Sequence, residues 1–188
     1  MAKNDQELIQ IVDAALADAV HRSGEWLACK PGCSQCCVGV FAISQLDAHR
    51  LRQGLSQLDP EKAARVRERV ASTLNTLQDG FPGDFAGGTV DEDDPRFEDF
   101  GNEIVCPVLD PETKTCDLYT ARPMTCRTFG PALRNAEGIG TCELCFVGAT
   151  EREITAALMD DSFFAEEEQL SEQLGAEATT VALALRSA

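Results

Sequence analysis

Four cysteines crowded into nine residues constrain this chain more than any other feature of its sequence. The segment 29–37 reads Cys-Lys-Pro-Gly-Cys-Ser-Gln-Cys-Cys, and the Pro-Gly pair within it is typical of a turn. Thiols this close together in a turn-forming segment cannot all be separate core residues. A shared metal site is the simplest physical reason for the arrangement, and the rest of the chain is expected to supply helices that support it.

A second cysteine-rich region follows between residues 104 and 145. Nine residues separate Cys106 from Cys116 and Cys116 from Cys126, so folding must bring these three together. The CxxC pair near the end of the region has a spacing that lets two thiolates hold one ion from a tight turn. Thiolates are soft ligands that select zinc, copper(I) or iron–sulfur clusters over calcium and magnesium. The candidate metal ligands are therefore Cys29, Cys33, Cys36, Cys37, Cys106, Cys116, Cys126, Cys142 and Cys145.

The number of cysteines bears on the number of metals. Eight ligands would serve two four-ligand sites, and nine cysteines leave one to spare; one polynuclear cluster is equally compatible with the count. Adjacent side chains are expected to diverge in most backbone conformations, so either Cys36 and Cys37 serve different metals or one of them is not a ligand. Buried free cysteines are the competing interpretation, since cysteine is a common core residue, but clustering this dense disfavours it.

Charge and the N-terminal sequence exclude several classes of function. Acidic residues outnumber basic residues 32 to 16, and the formal net charge of -16 repels phosphate backbones and anionic lipids. Neither nucleic acid nor a membrane is an expected partner. The N-terminal segment has no apolar stretch of the kind found in secretion signals, and no apolar run reaches the ~18 residues of a membrane span. We therefore expect a cytoplasmic protein whose cysteines bind metal rather than form disulfides.

The spacing of apolar residues predicts a mainly α fold with little or no β-structure, in a single small domain over residues 1–188. In this domain, helices surround an irregular cysteine-rich centre. Residues 29–148 are the predicted metal-binding core, and residues 151–188 supply C-terminal helices. The helices are predicted over residues 5–22, from the N-cap Ser44 to Leu58, from Pro60 to Leu77, over residues 151–160 and over residues 166–186.

Two segments lie outside the predicted helices. The apolar segment 38–43 is either a short strand or a buried connector. The acidic segment 79–103 is predicted to be a long loop that its phenylalanines hold in part. The functional alternative for this loop is a lid, or a partner-binding segment, over the metal site.

Few other residues suggest chemistry. Arg122 and Arg127 flank Cys126, where they could hydrogen-bond its sulfur, reduce the net charge of a cluster or hold an anionic substrate. The alternative role of these arginines is a surface ion pair.

The remaining polar residues near the cysteines have plainer explanations. Asp110 and Asp117 are expected to be turn-forming residues, and His21 and His49 lack ligand spacing to any cysteine pair. The chain has no P-loop, GxSxG, HExxH or dinucleotide-binding motif.

The cysteines and their neighbours together form a recognisable pattern. It consists of Cys29, Cys33, Cys36-Cys37, Cys106-Pro107-Val108-Leu109, Cys116-Asp117-Leu118-Tyr119, Arg122-Pro123 and Cys126-Arg127-Thr128-Phe129. This pattern resembles the YkgJ-type cysteine-cluster family, a zinc- or iron-chelating domain whose first motif is usually CxxCxxCC. Three residues separate the first two cysteines here, where the family has two. The family also tends to carry a later cysteine, a place that Cys142 or Cys145 would fill.

The resemblance implies a metal-chelating domain related to flagellin lysine N-methylase, which resembles an iron–sulfur protein. The leading hypothesis is therefore a cytoplasmic metal-binding protein that holds zinc or an iron–sulfur cluster; a fully thiolate-bound zinc would stabilise the fold and leave partner binding as the function. The alternative is an iron- or iron–sulfur-dependent enzyme that modifies a protein or peptide, with Arg122 or Arg127 positioning the substrate. A metal store or carrier is a third hypothesis.

Overall fold

The computed structural model describes residue 2, residues 4–135 and residues 138–187, so both ends of the predicted range 1–188 lie outside the described residues. Helices make up 46% of the structure, and the β-structure described is two short antiparallel pairs. The predicted mainly α fold with little β-structure is confirmed. Among the described residues, no helix is both long enough and apolar enough to cross a membrane.

The structure divides into two compact units, each assembled from two separate stretches of chain. Unit 1 comprises Met1–Lys30 and Thr125–Gln173, and unit 2 comprises Pro31–Met124 and Leu174–Ala188. That the whole chain behaves as one folding domain stays a prediction.

The first helix of unit 1 begins where the sequence predicts it. Helix α1 (Asp5–Ser23) is capped by Asn4, whose side chain accepts a hydrogen bond from the backbone N–H of Glu7 at 3.0 Å. Such a cap satisfies one of the unpaired donors at a helix N-terminus. The buried residues of this helix are Leu8, Val12, Ala19 and Ser23, whereas Val20 is 42% exposed.

Short elements complete unit 1. Helix α4 (Met124–Thr128) joins it from Thr125 onward, and strands β3 (Leu133–Asn135) and β4 (Gly138–Gly140) pair antiparallel. Helices α5 (Glu151–Ala156) and α6 (Phe163–Glu172) pack against α1.

The C-terminal helices are shorter than predicted. The helix expected over residues 151–160 ends at Ala156, and the continuous helix expected over residues 166–186 is wrong. Helix α6 ends at Glu172, and a separate helix, α7 (Val181–Ala184), begins after Thr180. Gly175 lies between them with φ +138°, a conformation outside the helical region that glycine adopts readily.

Unit 2 is built on a helical hairpin and α7. Helix α2 (Gln45–Gln57) begins after Ser44, the predicted N-cap, and helix α3 (Pro60–Leu77) begins at Pro60 as predicted. The Ser44 side chain accepts a hydrogen bond from the N–H of Asp47, and Asp59 caps α3 in the same way. Helix α7 packs against both, and α2 also packs against the 3₁₀ turn Tyr119–Ala121. The buried residues of this core are Ile43, Ala48, Leu51, Leu55, Ala63, Val66, Val70, Val108, Leu118, Val181, Ala184 and Leu185.

The acidic segment 79–103 is held in place by apolar contacts, as predicted. It contains a hairpin formed by β1 (Gly83–Asp84) and β2 (Thr89–Val90). Its phenylalanines join an apolar cluster with Leu77 and Val90, and the ring centroid of Phe81 lies 5.5 Å from that of Phe85. The lid role stays a prediction. The neighbouring segment 38–43 is a connector with isolated backbone bridges at its two ends, to Val105 and Thr179.

Candidate metal centre

Backbone hydrogen bonds in unit 2 bring the first cysteine motif beside the second. Cys36 and Cys37 lie in the 3₁₀ turn Gln35–Cys37, which leads into the bridge between Val38 and Val105. At this bridge the N–H of Cys106 donates to the carbonyl of Cys37 at 2.8 Å. Two cysteines that are 69 positions apart in sequence thus occupy neighbouring backbone positions.

A tight loop then returns the chain so that Cys116 joins them. Leu109 and Cys116 form a bridge, and the N–H of Asp117 donates to the carbonyl of Val108 at 2.8 Å. At the tip of the loop, the Asp110 carboxylate accepts backbone N–H bonds from Thr113 and Glu112, which hold the pKa of Asp110 below its usual range. Asp110 is therefore the turn-forming residue that the sequence predicts.

Four thiols of unit 2 interact electrostatically. Cys37 donates a hydrogen bond to the sulfur of Cys36, which lowers the pKa of Cys36 to about 6 and raises the pKa of Cys37. Burial raises the pKa of Cys106 to about 12, and it also raises the pKa of Cys116. The charge on Cys36 contributes to the raised pKa of both. Cys36, Cys37, Cys106 and Cys116 are hereafter the unit 2 thiols.

Cys36 and Cys37 follow one another in the 3₁₀ turn, which separates successive side chains by about 120°. Their thiols shift each other's pKa. The expectation that the two side chains point apart stays a prediction.

A buried arginine lies among the unit 2 thiols. The positive charge of Arg122 contributes to the lowered pKa of Cys36 and partly offsets the rise in the pKa of Cys116 that burial causes. Its guanidinium lies 4.0 Å from the ring centroid of Tyr119 and donates to the carbonyl of that residue at 2.8 Å. Arg122 therefore reduces the negative charge of this site, which is one of the roles expected for it.

Helix α3 holds the loop between Cys106 and Cys116 through contacts that sequence reasoning missed. Asp117 is a buried ion-pair partner rather than a simple turn residue: Arg69 donates to its Oδ2 at 2.5 Å, and Lys62 lies 2.9 Å from its Oδ1. Arg69 Nε also donates to the carbonyl of Pro107 at 2.8 Å. The sequence does not distinguish Arg69 from Arg65 and Arg67 of α3, because each of the three lies next to a valine of the apolar face.

Unit 1 contains a second set of thiols. The sulfurs of Cys29 and Cys145 are 3.9 Å apart. The N–H of Phe146 donates to the carbonyl of Trp26 at 2.7 Å, which fixes the two segments side by side, and the N–H of Cys145 donates to the carbonyl of Cys142 at 2.8 Å. The predicted CxxC turn is thus present and lies beside the first cysteine of the N-terminal motif.

The thiols of unit 1 differ in burial, because Cys29 is exposed and the CxxC pair is not. Cys142 and Cys145 are buried with Ala132, Phe146 and Ala157. A Cβ atom at Gly130 would lie 2.6 Å from the sulfur of Cys29, so only glycine fits there without a shift.

Helix α4 carries Cys126 and leads into the Gly130 turn. The neighbouring Arg127 is buried and donates to Asp13 of α1 at 2.5 Å. Arg127 thus forms the ion pair considered for it, between a buried guanidinium and an Asp13 carboxylate that is 49% exposed.

The remaining candidates are quickly placed. Cys33 is a half-buried residue of unit 2, and both histidines are exposed, with His49 bonded to Gln53. Among the described residues, no three His, Cys, Asp or Glu side chains are arranged so that they could hold an ion. Metal binding therefore requires the neighbouring thiols to move closer together. The chemistry of these residues fits zinc or iron, because cysteine thiolates hold both structural zinc ions and iron–sulfur clusters.

Comparison with protein-family models gives a match over residues 28–146, which is more than half of the chain and includes all nine cysteines. The matching model is CxxCxxCC, described as "Putative zinc- or iron-chelating domain". The chain belongs to the CxxCxxCC family. No curated protein and no solved structure matches it. For this CxxCxxCC member, the family description supports the prediction that zinc or iron is bound.

Proposed function

We propose that the chain is a cytoplasmic metal-binding protein with two thiolate centres, one in each unit. Each unit contains enough cysteines for a four-ligand site, the number that zinc and iron–sulfur clusters require. The proposed ligands of unit 1 are Cys29, Cys126, Cys142 and Cys145, and those of unit 2 are Cys36, Cys37, Cys106 and Cys116.

The observation that carries the proposal is the mutual influence of the unit 2 thiols. Four thiols that shift one another's pKa cannot all ionise together without a cation, because like charges repel strongly where water is excluded. Cys36, with its pKa near 6, is the thiolate that is present at neutral pH. The other three are protonated and would release protons on metal binding, as ligand thiols do.

One cysteine of unit 2 is surplus to a four-ligand site. Cys37 is influenced by Cys36, Cys106 and Cys116, and Cys33 is the fifth thiol of the unit. We assign Cys33 as the surplus cysteine.

A zinc ion with four thiolates would stabilise the fold, whereas an iron–sulfur cluster would supply electron transfer. In the zinc case, binding of a protein partner is the proposed function.

Arg122 favours a second candidate function. A buried cation beside thiols, next to a tyrosine that is 61% exposed, suits a site that holds an anionic group of a substrate. The corresponding activity is an iron- or iron–sulfur-dependent enzyme that modifies a protein or peptide.

Metal analysis of protein purified without oxygen tests the proposal. Iron with acid-labile sulfide and a brown colour would identify a cluster, and colourless protein with stoichiometric zinc would identify structural sites. Cys116→Ser should remove the metal of unit 2, and Cys142→Ser should remove that of unit 1. The control Cys33→Ser should retain both.

Two results would count against this. A wild-type chain that is purified without metal and binds neither zinc nor iron when they are added would refute the proposed function. A Cys33→Ser variant that loses as much metal as Cys116→Ser would refute the assignment of ligands.

A further inference from the structure

Unit 2 has a polar cavity of about 350 Å³ that no cysteine lines. Arg52 and Gln45 of α2, Arg186 after α7 and the turn Gly87-Gly88 of the β1–β2 hairpin contribute to its wall. Ligand pockets occupy about 300–1,000 Å³, so the volume suits a small molecule. Neither the metal proposal nor any motif of the sequence accounts for this cavity.

Both arginines of the cavity are anchored by backbone carbonyls. Arg52 Nε donates to the carbonyl of Ala184 at 2.9 Å. Arg186 donates from Nη1 to the carbonyl of Phe85 at 2.6 Å and from Nη2 to that of Ala86 at 2.8 Å. These contacts fix two guanidinium groups on one cavity before any ligand is present, and such preorganisation reduces the entropy lost on binding.

The backbone of the hairpin is adapted to this arrangement. Gly88 has φ +85°, and a Cβ atom built on it would approach Arg186 Nη2 to 3.3 Å. The hydroxyl of Thr179, another lining residue, donates to the carbonyl of Gly88 at 2.7 Å. The turn is therefore held at a distance that leaves room for the guanidinium of Arg186.

Donors remain for a ligand. In the described part of the chain, the two terminal nitrogens of Arg52 have no acceptor, and they form the planar fork that matches a carboxylate or phosphate. One acidic residue, Glu177, also lines the cavity, so its charged groups sum to one net positive charge. In a chain with a net charge of -16, a cationic cavity is unexpected.

We propose that this cavity binds a small molecule that carries a carboxylate or a phosphate group. Arg52 forms the paired hydrogen bonds to the anion, and Arg186 adds positive charge. Gln45 Nε2 donates one N–H to the carbonyl of Glu177 at 2.9 Å, and its second N–H is a further donor at the same wall. The site is independent of the proposed metal centres, because the two share no residue.

Calorimetric titration of the metal-loaded full chain with two probes, inorganic phosphate and succinate, tests the proposal and separates the two sources of anion. Neutral succinamide is the control ligand. Arg52→Gln should weaken binding about tenfold or more, as expected for loss of charged hydrogen bonds. The matched control is Arg65→Gln, which removes an exposed charge outside the cavity and should change the affinity less than about twofold.

A gain in affinity provides a test that does not depend on stability. Glu177→Gln removes the carboxylate of the cavity and should tighten binding of the same probe about threefold. Amide NMR signals of Gly87 and Gly88 should shift with the same affinity. No binding of either probe, binding of succinamide as strong as that of succinate, or equal weakening by Arg52→Gln and Arg65→Gln would overturn the proposal.

Discussion

The anchor between α3 and the cysteine loop of unit 2 can be tested by changing Asp117 to Asn. This substitution keeps the shape of the side chain but removes the charge that faces Arg69 and Lys62. A hydrogen bond to a charged group contributes about 1.5–3 kcal/mol, and the Arg69 contact, in which the acid is 2% exposed, belongs in that range. Lys62 is 39% exposed, and its ion pair with Asp117 adds at most a few tenths of a kcal/mol, because solvent screens surface pairs. We therefore expect a loss of about 2–3 kcal/mol in the free energy of unfolding.

Denaturant unfolding of the metal-free chain measures this loss. The matched control is Asp110→Asn on the same loop, which keeps the acceptor for the turn and should unfold close to wild type. Because supporting contacts around metal ligands change affinity about 10–100-fold, Asp117→Asn should also weaken metal binding in unit 2 within that range. If both variants unfold at the same denaturant concentration, the anchor does not stabilise the loop and the reasoning is wrong.

Two further predictions concern individual thiols. In metal-free protein at pH 7, alkylation followed by mass spectrometry should modify Cys36 at least about tenfold faster than Cys106, because thiolate is the reactive form. Lowering the pH from 7 to about 5 should slow the modification of Cys36 about tenfold as its thiolate is protonated, and equal rates for Cys36 and Cys106 at pH 7 would contradict the assigned protonation. Gly130→Ala should reduce the free energy of unfolding, measured with denaturant, by about 1–3 kcal/mol more than Gly148→Ala does. Both glycines have positive φ, but only a Cβ atom at Gly130 would clash with Cys29. Equal losses would mean that this contact does not affect stability.

Local signals in the sequence predicted the local structure well. The caps at Ser44 and Asp59 bond to backbone N–H groups within one helical turn, so the residues that form each cap lie within three positions of one another. Both helices begin where the sequence predicts. The C-terminal helix was predicted wrongly because Leu170, Leu174 and Val181 have helical spacing, although Gly175 interrupts the helix. Apolar spacing alone does not register such a break.

For the candidate site, the sequence predicts the type of ligand but not which cysteines lie close together. Clustered cysteines indicate thiolate chemistry wherever the chain places them, and the match over residues 28–146 agrees with this. Which cysteines become neighbours depends on contacts between distant segments, such as the bond from Cys106 to Cys37. The ion pair of Arg69 with Asp117 joins residues 48 positions apart, and nothing in either local sequence indicates it.

The division of the N-terminal cysteine motif between two units has a consequence for biosynthesis. Cys29 belongs to unit 1, whereas the other three cysteines of the motif belong to unit 2. The thiol neighbour of Cys29, Cys145, follows it by 116 residues. A ribosome that adds about 5–20 residues per second needs about 6–23 s to make that stretch. Throughout this interval the nascent chain carries a thiol whose neighbour has not yet been made, so the metal site proposed for unit 1 can be completed only after most of the polypeptide has been made.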